Sequence, residues 1–111
     1  MLYLKTGNME YRAAITGREI DRDWDGRASK TITLQMTYAE AAQLFTDGLT
    51  WSVAEKQPDE DGAEQMVRET DCSSYCVAWP ITDYRDGKIA VKMGKNTQLE
   101  LALRELQEAL T

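Results

Sequence analysis

Twice this chain writes the same order of elements. IDRDWDGR (residues 20–27) leads into TITLQM (31–36) and then Thr37-x-x-Glu40; ITDYRDGK (81–88) leads into IAVKM (89–93) and then Thr97-x-x-Glu100. In each case an Asp-Gly pair marks a turn, an alternating run follows, and a Thr-x-x-Glu capping box opens a helix. Ile32, Leu34 and Met36 alternate with Thr31, Thr33, Gln35 and Thr37, which is the period of a half-buried strand. Ile89, Val91 and Met93 repeat that pattern. This order reads as antiparallel strands joined by tight turns with helices added, an α+β arrangement.

The remaining segments extend the pattern. Residues 2–5 read as an edge strand, and 9–20 as a strand with a bulge at Gly17. A turn region covers 21–30. A first helix is expected over 38–46, closed by Gly48, and a strand over 49–56 places Leu49, Trp51 and Val53 on one face. Residues 57–71 hold six acids against one base and read as a long acidic loop. Strand resumes over 74–84, with Pro80 demanding an edge or a bulge. A last helix is expected near 97–110, with Leu99, Leu103, Leu106 and Leu110 on one stripe; packing on the sheet is its default, and dimerisation the alternative. The fold class is therefore α+β: one domain over 1–111, an antiparallel sheet of five or six strands, and two helices on one face. The two strand-turn-strand-helix halves read as a ββα pseudo-repeat.

Composition bounds the chemistry. The 111 residues suffice to bury about two-thirds of the unfolded surface without staples. No apolar run reaches the roughly 18 residues of a membrane span. The N-terminal residues do not read as a signal peptide, so the expected location is the cytoplasm of a host cell or a particle. With no histidine, Ser-His and Cys-His nucleophile pairs are excluded, leaving only carboxylate or lysine catalysis. Cys72 and Cys76 cannot complete a zinc site alone and miss the C-x-x-C redox spacing. Free thiols are expected, with a disulfide as the alternative. No catalytic residue, metal ligand or cofactor is assigned.

Two motifs in the turns fail on spacing. Asp21, Asp23 and Asp25 alternate like the start of a calcium loop, but the twelfth position is Ile32, which cannot ligate. Gly87 and Gly94 are too far apart for a phosphate loop, and Asn96 stands where Ser or Thr is required. Outside residues 57–71 the net charge is −1 of a total −6, and the one basic grouping, Arg12, Arg18, Arg22, Arg27 and Lys30, is interleaved with Glu19, Asp21, Asp23 and Asp25, which reads as a solvated hairpin before a track for nucleic acid. Arg22, Trp24, Arg27, Tyr84 and Arg85 cluster at the two Asp-Gly turns and are of the types that anchor interfaces. They are the candidate contact residues for a protein partner or, alternatively, a small nucleotide ligand. For Trp24, folding back over its own hairpin is the competing reading.

The runs TYAEAAQLFTDGLTWSV and PITDYRDGKIAVKMGKNTQLE resemble small uncharacterised proteins of phages and prophages of Firmicutes, over most of residues 31–104. The resemblance implies a phage setting near structural genes, and no activity. The function expected is a non-enzymatic interaction protein: a minor virion or tail-assembly component, oligomeric, working by protein contacts. The alternative is an anti-defence protein that blocks a host immune protein through the acidic segment or sequesters a nucleotide signal.

Overall fold

The structure, a computed structural model, describes residues 1–110. It is an α+β fold. The strands are β1 (Leu2–Thr6), β2 (Met9–Asp21), β3 (Arg27–Gln35), β4 (Ser52–Pro58), β5 (Glu64–Asp71), β6 (Tyr75–Ala78), β7 (Thr82–Asp83) and β8 (Lys88–Lys95). Helix α1 (Tyr38–Leu44) follows β3, and α2 (Gln98–Ala109) follows β8. All pairings are antiparallel, in the order β5-β4-β1-β2-β3-β8-β6, with β7 also on β8.

The long β2 joins two parts of this sheet. Its residues 9–12 pair with β1, and its residues from Ala13 onward pair with β3. Directly opposed residues of an antiparallel ladder point to the same face. Ile15, Ile32 and Val91 therefore share one face, as do Ala13, Leu34 and Ile89. With Leu4 and Met93 they form the main core, closed over by Ala41 and Phe45 of the first helical segment, Met36, Trp51 and Cys72. The Trp51 indole donates to the Tyr75 carbonyl at 2.9 Å, so its one polar atom is not stranded.

Several expectations need correction. Among the described residues the sheet has eight strands, not five or six, because residues 57–71 are not a loop and the run 74–84 is split into β6 and β7. β4 turns at Asp59–Gly62 into β5, and Asp59 organises the turn by accepting from the amides of Asp61 and Ala63, each at 2.9 Å. β5 is a fully exposed edge strand, so it carries no alternating apolar signal; its ladder to β4 holds it. Gly17 is not a bulge: it pairs regularly with Lys30, and the irregularity lies between Arg18 and Asp21. Pro80 falls in the break between β6 and β7, at the sheet margin.

The two helices do not both pack on the sheet. α1 buries Ala41 against the core. α2 carries a complete Thr97/Glu100 capping box but buries no residue. Its leucines are open to solvent: Leu99 69%, Leu103 50%, Leu106 57% and Leu110 79% exposed. The radius of gyration, 15.9 Å, exceeds the roughly 13 Å of a compact domain of this size.

Candidate functional site: a helix moored to a buried polar cluster

The antiparallel pairing of β3 with β8 decides where the two Asp-Gly turns go. Ser29, near the start of β3, lies opposite Gly94, near the end of β8; Gln35 lies opposite Lys88. The turn before β3 and the turn before β8 are thus at opposite ends of the pair, separated by six residues of β8, or roughly 20 Å. Each turn meets the capped helix start of the other unit. The five candidate contact residues therefore do not converge. Arg22 lies exposed in the first turn; Tyr84 and Arg85 lie exposed in the second.

Trp24 and Arg27 are not at an exposed tip. Both are 7% exposed, folded back over the sheet face opposite the main core. The chain reverses tightly here: the amides of Trp24 and Gly26 both donate to the Asp21 carbonyl, and Asp25 takes a left-handed φ of 58°. This drops the Trp24 indole onto Gly94. A methyl group at Gly94 would sit 2.7 Å from the Trp24 ring and 2.8 Å from the Arg27 chain, so glycine is required for close approach. Trp79 packs edge-on against Trp24, with ring centroids 4.8 Å apart. Trp51 packs in the main core, whereas Trp79 is 38% exposed and belongs to this second cluster.

Beneath the tryptophans lies a polar group that sequence reading missed. Asp21 is closed to solvent and accepts from Ser29 Oγ and Lys92 Nζ, each at 2.8 Å. The Lys92 bond, then that of Ser29, holds its carboxyl below the usual range. Asp23 and Asp25 face ion-pair partners, Arg18 and Arg27, so the three aspartates of the turn point apart instead of toward one cation.

Arg27 ties the cluster to α2. Its guanidinium stacks over the Trp24 ring at 4.6 Å, donates to the carbonyls of Trp24 and Lys95, and pairs with Glu100 at 3.0 Å. Glu100 also accepts from the Thr97 amide at 2.8 Å. One carboxylate thus caps the helix and moors it. The capping bond from Thr97 comes first among the causes that depress its pKa, with Arg27 adding to it. Gly94 was the available sequence signal: a glycine inside a strand end, not only in the turn after it, marks a close contact.

The cysteines are both free, Cys72 buried and Cys76 half-buried. Burial pushes the Cys72 thiol up, which suits a packed group and not a nucleophile. No described helix is long and apolar enough to cross a membrane. No family model, curated protein or solved structure matches the chain.

Proposed function

We propose that this chain is a non-enzymatic interaction module of phage or prophage origin, a minor virion or tail-assembly component that docks through α2. The observation that carries this reading is the exposed leucine face of a helix fixed in direction by Arg27. A fully buried leucine stabilises by about 1.5–3 kcal/mol, so the outward four, only partly exposed, withhold roughly 4–8 kcal/mol until something covers them. An isolated helix of this length is marginal in water. The capping box and the Arg27 pair hold its first turn, and an occupant would hold the rest. A nucleotide-sequestering role has less support, since Arg22, Trp24, Arg27, Tyr84 and Arg85 form no common pocket.

The test is particle association. Mass spectrometry of purified virions should find the wild-type chain, and L103E/L106E should remove it while the free protein stays folded. Absence of the wild-type chain from particles and tails would sink the virion reading.

A further inference from the structure

We infer that the occupant of the α2 face is a second copy of this chain, paired helix to helix about a two-fold axis. This rests on the docking reading above and names its partner. Leu99, Leu103, Leu106 and Leu110 follow a four-three-four spacing, which is the a/d seam of a two-helix coiled coil. All four point outward, and Leu101, off this stripe, is the less exposed at 40%. The seam's flanks decide between self and foreign partners. They hold Glu100, Ala102, Gln107 and Ala109. Glu100 is the one charge among them, and Arg27 of the same chain neutralises it. Flanking charges are the usual device by which helices reject their own copy or select another. This helix has none to spend on that, and its alanines let the backbones approach.

The other large exposed feature, the edge of β5, is less suited to self-pairing. It offers Met66 and Val67, but Glu64, Glu69 and Asp71 outnumber Arg68, so two β5 edges would bring like charges together. The helical seam also sets the expected strength. Twelve residues of helix span about 18 Å, and two such stripes cover less than the roughly 800 Å² per partner of a standard interface. The dimer is of the weak, concentration-dependent kind.

Sedimentation velocity of the full chain, from about 1 µM to about 300 µM, reads this directly. The wild type should pass from monomer to dimer within that range, with helical circular dichroism rising as it does. L103E/L106E should raise the dissociation constant at least about a hundredfold with the near-ultraviolet spectrum unchanged. L103A/L106A, which favours the helix and so does not act by melting it, should weaken the dimer at least about tenfold. M66E/V67E should leave it intact. A dimer that survives both leucine variants, or is lost in M66E/V67E, overturns the proposal. So does a wild type that stays monomeric throughout, and virion association would then still distinguish docking on a different protein from no docking at all.

Discussion

Arg27 and Glu100 lie 73 residues apart in the chain and meet at 3.0 Å, the arginine buried and the glutamate half-exposed at the first turn of α2. Through this pair the first Asp-Gly turn sets the direction in which the last helix leaves the sheet. Arg27→Met should remove the helix anchor together with the guanidinium hydrogen bonds to the carbonyls of Trp24 and Lys95. A loss of about 1–3 kcal/mol is expected from urea unfolding. Glu100→Gln keeps an acceptor for Thr97 and loses only the charge of a partly exposed pair, so its cost should stay below about 1 kcal/mol. An equal cost for the two would contradict the assignment of Arg27 as the tie.

Gly94→Ala tests the contact beneath Trp24. Its added methyl must displace the indole and the Arg27 chain, at about 1–3 kcal/mol. Tryptophan emission should shift to the red as the Trp24 and Trp79 pair opens. An unshifted spectrum with unchanged stability would mean that Trp24 does not lie on Gly94.

The Asp21 cluster predicts acid sensitivity. Its folded-state pKa lies below the unfolded value, because Lys92 and Ser29 hold the charged form. Its stabilisation is complete above about pH 4 and is lost as pH falls through the lower folded value. Glu100, held low by Thr97 and Arg27, acts in the same direction. Thermal midpoints measured from pH 7 to pH 2 should fall at the acid end, and Asp21→Asn should be destabilised at neutral pH yet show a shallower acid loss. A parallel pH profile for the variant would remove Asp21 from the account.

Asp59→Ala should loosen the β4–β5 turn without unfolding the protein. The residue accepts from Asp61, Ala63 and Gln65, and β5 buries nothing. Hydrogen exchange should accelerate across Glu64–Asp71, while the global unfolding midpoint moves little. Uniform acceleration across the sheet would show that this hairpin belongs to the cooperative core.

Cys72 should be inert in the folded chain and Cys76 slower than a free thiol. Burial raises the Cys72 pKa and shields its sulfur. Titration with a thiol reagent at pH 8 should leave Cys72 unreacted until denaturant is added; prompt reaction of both would contradict its place in the core.

Local physics made much of this fold readable in advance. The alternations of Ile32, Leu34 and Met36 and of Ile89, Val91 and Met93 placed β3 and β8, and the Thr97/Glu100 box placed α2 within a residue of its start. These signals depend on neighbours a few positions away, so the amino-acid sequence alone determines them. β5 was hidden because a fully exposed edge strand has no face to bury and so no pattern to write. The fate of Trp24 and Arg27 was hidden for a different reason. In the sequence Trp24 has its counterpart in Tyr84-Arg85 and Arg27 in Lys88, at matching turns of matching units. Only the antiparallel pairing of β3 with β8 sends the two turns to opposite ends, lays one on Gly94, and leaves the other in water. The leucine stripe of α2 was legible from its spacing; that none of the described residues covers it was decided by the tertiary structure, because burial is a contact between distant segments and no local rule specifies it.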